Sequence, residues 1–208
     1  MQIFPRAANL LPLVLGLGAV AAGGGITFVF WYFFSPWNLQ VGHAPRQPVQ
    51  YSHKLHAGEL GIDCRYCHAN VERSHEAMIP ATQTCMGCHA LVRADSEKLA
   101  VVRESWESDL PIQWVRVHKL PDHVFFDHSV HVAASVGCVS CHGRIDQMEI
   151  VVQERPISMS WCLDCHRDPA PNLRPRHEVT NMTWKPQSSE PIAAATVDPP
   201  THCSGCHR

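Results

Sequence analysis

The chain has no excess of positive charge: 17 Lys and Arg stand against 19 Asp and Glu, a formal net charge of −2 over 208 residues. Nucleic-acid binders need a basic surface, so that class is excluded. Helical and strand periodicity is scarce beyond the first 34 residues, so no large aliphatic core is encoded there. Charge is missing altogether from Leu10 to Phe34. That N-terminal stretch also lacks cysteine, and all ten cysteines fall in the rest of the chain. Ten are too many for an ordinary cytosolic enzyme, and 208 residues are too many for a typical disulfide mini-scaffold. Something other than aliphatic burial must organise this part.

The cysteines come in pairs, each followed at once by histidine. They read Cys64-Arg-Tyr-Cys67-His68, Cys85-Met-Gly-Cys88-His89, Cys138-Val-Ser-Cys141-His142, Cys162-Leu-Asp-Cys165-His166 and Cys203-Ser-Gly-Cys206-His207. This is the c-type haem attachment pattern, five times, with no cysteine left over. Residues three and four apart share a helical face. Two thiols so spaced can reach the two vinyl groups of one porphyrin, and the histidine then lies beneath the iron as proximal ligand. Zinc knuckles and a disulfide framework are the competing readings. Histidine after the second cysteine in all five pairs disfavours both. No site carries Lys in place of His. The expected cofactors are five covalently bound c-type haems.

The 25 uncharged residues from Leu10 to Phe34 exceed the roughly 20 that cross a bilayer as a helix. Trp31, Tyr32 and Trp37 suit the far interface. Arg6 and the terminal amine point weakly to an inside N-terminus, and haem attachment outside the bacterial cytoplasm agrees. Ala19-Val20-Ala21 resembles a signal-peptide cleavage site. Cleavage there would leave Gly23 to Phe34 as an exposed apolar end, so an uncleaved anchor is expected. Ala19 with Gly23, and Ala21 with Gly25, form small-xxx-small pairs that suit another membrane helix. Glycine is also simply common in such helices.

Two similar blocks follow. Tyr51-Ser-His53-Lys-Leu-His56 precedes Cys64 by seven residues, and Phe126-Asp-His128-Ser-Val-His131 precedes Cys138 by six. A second motif follows each first one after 16 or 19 residues. Two imidazoles three apart lie on one helical face and can serve two haems at once. Aromatic-x-His-x-x-His before a haem motif resembles the class III multihaem cytochromes. That resemblance makes His53, His56, His128 and His131 distal iron ligands, and adds His75, between the first two motifs. His118 is a weaker distal candidate, and His43, His123, His177 and His202 read as solvated or loop residues. The second block has Met148 and Met159 but no histidine between its motifs. Either one of them, Met148 in preference, is a His/Met ligand with raised potential, or both simply pack on porphyrin edges.

The expected fold class is a multihaem c-type cytochrome: one N-terminal transmembrane helix plus a mostly irregular, short-helix domain organised around five haems. The boundaries are 1–37 for the anchor, 38–50 for a Pro-containing linker and 51–208 for the haem domain. Within it the repeats are about 51–89 and 126–166, with a C-terminal arm at 167–208. Ala90 to Ser108 is predicted as the best soluble helix, capped by Asp95 or Ser96, with Leu99, Val102 and Trp106 on one face and an Arg103–Glu107 pair. Seven prolines between Pro169 and Pro200 predict an extended arm that delivers the fifth motif.

The strings Tyr51 to His68, Val124 to Gly143 and Trp161 to Pro171, behind one N-terminal span, resemble the pentahaem subunit of alternative complex III. The resemblance runs from about residue 10 to the end. It implies an electron-transfer subunit of a membrane quinol:electron-acceptor oxidoreductase, with the haem domain on the periplasmic side of the cytoplasmic membrane. Implied partners are iron–sulfur and multi-span quinol-binding subunits, with a periplasmic monohaem cytochrome or copper protein as acceptor. The chain carries no quinone-site motif, so catalysis by it alone is not expected. Two alternatives stay open. One is a stand-alone quinol dehydrogenase of the tetrahaem type feeding a periplasmic reductase. That family places Met two residues after the first motif's His, where this chain has Asn70. The other is a multihaem nitrite or hydroxylamine reductase, which needs one open iron face.

Overall fold

The computed structural model describes residues 5–35, 37–186 and 197–207. Residues 1–4 and 36 of the expected anchor, and 187–196 and 208 of the expected arm, lie outside them. The chain divides into two units, 1–41 and 42–208. In the first, a 3-10 turn at Arg6–Leu10 leads into α1, Leu11–Phe33. Its 23 residues span about 35 Å at 1.5 Å per residue. Pro12 is tolerated because it sits in the first turn, where its missing N–H is no loss. None of the α1 side chains is buried, and the helix is long and apolar enough to cross a membrane. Its C-terminal end is aromatic, with Phe28 near Trp31 and Tyr32 and Phe30 stacked on Phe34.

The second unit is built from short helices, and no strand forms among the described residues. Four of the five cysteine motifs lie at helices. These are α2 (Cys64–Cys67), the end of α3 (Thr82–His89), α6 (Cys138–His142) and α7 (Met159–Arg167). The fifth forms a 3-10 turn, Cys203–Gly205. Local caps start two of the helices: Asp63 accepts from the Arg65 N–H ahead of α2, and Ser158 from the Trp161 N–H ahead of α7.

The two His-x-x-His blocks differ by one residue, and the backbone absorbs it. His128 opens α5, His128–Ala133, whereas His53 opens a π-helical turn, Lys54–Glu59. In the first block the Ile62 N–H returns to the His56 carbonyl; in the second the Val136 N–H returns to that of His131. The first closure is one residue longer. A π turn is how a helix accepts a single insertion, so both blocks reach their cysteines in equivalent positions. The blocks also pack together. The Lys54 N–H donates to the Met148 carbonyl, and any Cβ on Gly58 would strike the Asp146 carbonyl. Gly58 is therefore required by close approach of two backbones.

Two expectations need correction. The helix predicted from Ala90 is shorter: turns occupy 91–95, a 3-10 turn covers Glu97–Leu99, and α4 runs only from Ala100 to Ser108. Arg103 caused the shift. Its guanidinium donates to the Ala94 and Ser96 carbonyls at 2.7 and 2.8 Å, bending the preceding chain back instead of pairing with Glu107. Neither Asp95 nor Ser96 caps with its side chain. Val102 and Ser105 form the buried face, while Trp106 is half exposed. The proline-rich segment is also not extended over its first part. It forms 3-10 turns at Ala170–Asn172 and Arg176–Glu178 and wraps the third motif. There the Gly137 and Cys138 N–H groups donate to Asn172 and Val179, and the Arg174 N–H to Ser135. Prolines at turn positions fix these bends rather than a straight arm.

Buried apolar side chains are few. Among the described residues they are Val49, Val102, Val132, Met148, Leu173 and Val179. Leu60, Tyr66, Ile79, Leu91 and Leu110 are all more than half exposed. That is too much apolar surface and too little core for a domain held by its own side chains.

Two substitutions test these supports. A Cβ at residue 137 would collide with the Arg174 guanidinium, so Gly137→Ala is expected to destabilise by roughly 1–3 kcal/mol in thermal unfolding. Asp63 caps α2, pairs with Arg65 at 2.9 Å and accepts from Thr180 at 2.8 Å. Asp63→Ala is expected to cost about 1 kcal/mol through the cap alone. The Arg65 side chain holds the Asp63 carboxyl down to about 2, from 3.8. Its contribution is therefore present above about pH 4 and fades as pH falls through 2, so wild type and variant should converge in acid.

Candidate functional site

Each block holds its two histidines with one aromatic ring. Tyr51 lies edge-on to His53 at 4.8 Å and stacked on His56 at 4.4 Å. Phe126 repeats this, edge-on to His128 at 4.7 Å and stacked on His131 at 4.7 Å. The rings fix the separation and tilt of the imidazoles. Main-chain carbonyls fix which nitrogen carries the proton. Nδ1 of His56 bonds to Ser52 O at 2.9 Å, and Nδ1 of His131 to Asp127 O at 2.7 Å, each four residues back. Nδ1 of His128 reaches the His75 carbonyl at 2.8 Å. Three motif histidines follow the same rule, whereas Nδ1 of His142, like that of His53, is buried without a partner. His68 uses the Met78 carbonyl at 2.6 Å, His89 that of Val92 at 2.9 Å, and His166 that of Pro200 at 2.7 Å. A carbonyl takes only an N–H, so Nδ1 carries the proton and Nε2 is left as a lone-pair donor. This is the second-sphere arrangement of metal-binding imidazoles.

The rings then pair. His56 faces His89 with ring centres 6.2 Å apart, His131 faces His166 at 6.1 Å, and His128 faces His142 at 6.4 Å. Burial lowers the pKa of His53 to about 4, with a smaller contribution from the nearby His68. In each block the first histidine thus faces the next motif, and the second faces the motif after it. Two imidazoles bound trans to one metal, with nitrogens about 2 Å from it, have ring centres about 6 Å apart. The three separations fit that span. Burial lowers the pKa of His142 to about 3, and lowers those of His131 and His118 as well. Neutral imidazole is the ligating form.

Other candidates fall differently. The His75 side chain is exposed, and its carbonyl is the part used, by His128. His118 packs edge-on against His142 at 4.6 Å, too close for a metal between them, with its Nε2 buried and unpartnered. Met148 is buried beside the Lys54 turn, and Met159 is exposed at the start of α7. His123, read as a loop residue, stacks on His207 at 5.6 Å. The signal that could have found it is numerical: the two blocks supply four histidines for five motifs.

The cysteines are half-buried, apart from the exposed Cys88 and Cys203. All ten are unpaired, and among the described residues no three His, Cys, Asp or Glu side chains converge as an ion-binding group. Cys64 and Cys138 hydrogen bond to one another, which with burial raises the Cys64 thiol, so motifs one and three are neighbours. Arg174, 6% exposed, lies against Gly137 and beneath Trp184, with Nε unpartnered. It sets a fixed positive charge beside Cys138; burial lowers its pKa from the usual arginine range.

Paired cysteines, one imidazole from each motif, a second imidazole facing it and little aliphatic core are what a cytochrome c7-like multihaem domain requires. The comparisons agree. Residues 124–208 match the family described as cytochrome c7 and related cytochrome c. The chain is 31% identical over 139 residues to the menaquinone reductase, multiheme cytochrome c subunit, of Nitratidesulfovibrio vulgaris. That match covers 66% of this chain and 60% of the relative. A cytochrome of this kind carries covalently bound c-type haem.

The number of groups is open to direct measurement. Intact mass under denaturing conditions is expected to exceed the polypeptide mass by five haems. Cys162→Ala with Cys165→Ala should remove one and leave four. A wild-type mass with fewer than five would show that a motif stays empty.

Proposed function

We propose that this chain is the electron-transfer subunit of a membrane quinol:electron-acceptor oxidoreductase of the alternative complex III type, holding five covalent haems. The observation that carries the reading is the facing of a second imidazole on the motif histidines. When bound, haem supplies a one-electron iron couple. The residues do the rest. Cysteines three apart anchor each group. Carbonyls at Nδ1 of His56, His68, His89, His128, His131 and His166 would leave each of those Nε2 lone pairs for the metal. Burial favours the neutral form of His53, His131 and His142. A group held between a motif histidine and the imidazole facing it would keep no coordination position for a substrate, which disfavours the nitrite or hydroxylamine reductase reading. The aromatic clamps hold two ligands of different motifs three residues apart, and so fix the distance between neighbouring sites.

Two observations support the quinol assignment. The relative is a menaquinone reductase subunit, and α1 is long and apolar enough to cross a membrane. We read α1 as an uncleaved anchor, residues 51–208 as the periplasmic haem domain, and the quinol site as belonging to multi-span partner subunits. Iron–sulfur subunits would complete the donor side, and a monohaem cytochrome or copper protein would accept on the other. One span cannot enclose a quinol by itself.

Native membranes solubilised in mild detergent provide the test. The haem-stained band containing this chain should hold iron–sulfur and multi-span subunits, identified by mass spectrometry. A lone chain, or one paired only with a periplasmic reductase, would move quinol oxidation onto this protein. Carbon monoxide should leave the reduced spectrum unchanged; binding to a stoichiometric fraction of haem would favour the reductase reading instead.

A further inference from the structure

The second axial ligand of the C-terminal motif is the one part of the ligand set that the repeat does not explain. We propose that it is His123, opposite His207. The proposal rests on the haem reading above.

The contact is built by backbone. Val124 and His207 form an antiparallel bridge, and the Phe125 N–H donates to the Cys206 carbonyl at 2.7 Å. These bonds bring the last motif back to the residues just ahead of the second block. A turn closed by the Val124 N–H on the Pro121 carbonyl, at 3.0 Å, presents His123 there. The His123 carbonyl accepts from Nδ1 of His207 at 3.4 Å, so Nε2 of His207 stays free. His123 thus orients the motif histidine with its main chain and faces it with its side chain. The ring centres lie 5.6 Å apart at 24°, close to the 6.1–6.4 Å of the three pairs in the blocks.

Elimination agrees. His53, His56, His128 and His131 are each engaged with another motif histidine. His118 is held at His142. His75 lies at Asp127 and His128, and His177 beside Glu178. His202 sits at the N-cap position of the fifth motif's own turn, and His43 is exposed with its carbonyl taken by the Gln153 N–H. With His123 counted, five motifs have five distal histidines. His75 and His118 then become supporting residues, and no site requires Met148 or Met159.

The test uses the full-length haem-loaded chain in detergent, with His123→Ala, His123→Met and His118→Ala variants. Electron paramagnetic resonance and near-infrared magnetic circular dichroism read the spin state and axial ligands, and intact mass counts the haems. Wild type should be wholly low-spin with histidine on both faces. His123→Ala should keep all five haems but turn one in five high-spin and open to carbon monoxide, with low spin restored by added imidazole. His123→Met should give one haem with the methionine charge-transfer band and a raised potential; it also covers the case in which the alanine variant fails to fold. His118→Ala should leave all haems low-spin. Five low-spin haems in His123→Ala, or a methionine-ligated haem in wild type, would overturn the proposal. A wild-type mass lacking the haem at Cys203 and Cys206 would instead overturn the haem reading of that motif, a distinct result.

Discussion

The hydrogen bond from histidine Nδ1 to a main-chain carbonyl is the constraint on which the haem domain depends. An imidazole has two nitrogens, and only one can carry the proton while the other binds metal. At His56, His68, His89, His128, His131 and His166 the backbone makes that choice. A site so arranged does not have to reorient when its group is attached. The aromatic residue of each block adds the second restraint, because one ring touches both imidazoles. Tautomer and tilt are thus fixed by groups that are not themselves ligands.

This explains how so little aliphatic core suffices. Val102, Leu173 and Val179 are almost wholly buried, yet each belongs to a short segment beside a motif rather than to a common interior. The residues that organise the chain are spent on holding sites. Arg174 illustrates the cost. A guanidinium 6% exposed is expensive unless it has partners. It has the Asn181 carbonyl and the face of Trp184, and it excludes any side chain at residue 137.

The five Cys-x-x-Cys-His motifs and the two His-x-x-His blocks were legible in the sequence because their chemistry is local. Spacing of three and four residues means the same thing wherever it occurs. The pairing of blocks with motifs was not legible, since it depends on contacts between residues 14 to 35 positions apart. His123 was missed for that reason: nothing near it in sequence marks it, and a bridge to His207 creates its setting. The early start predicted for α4 failed because Arg103 finds two carbonyls upstream, a contact that helical periodicity cannot register. The proline-rich segment was misread in part because proline suits turns and extended chain alike.

The carbonyls that orient the histidines also impose an order on assembly. His56 and His89 take theirs from within four residues, so the first block can set its ligands as soon as it has been made. His128 borrows the carbonyl of His75, 53 residues upstream. His166 waits for that of Pro200, 34 residues downstream. A chain emerging N-terminus first therefore completes its first block alone, docks the second onto it, and secures the fourth motif only when the C-terminal segment arrives. Truncation near the end would be felt not only at the last motif but at the one before it.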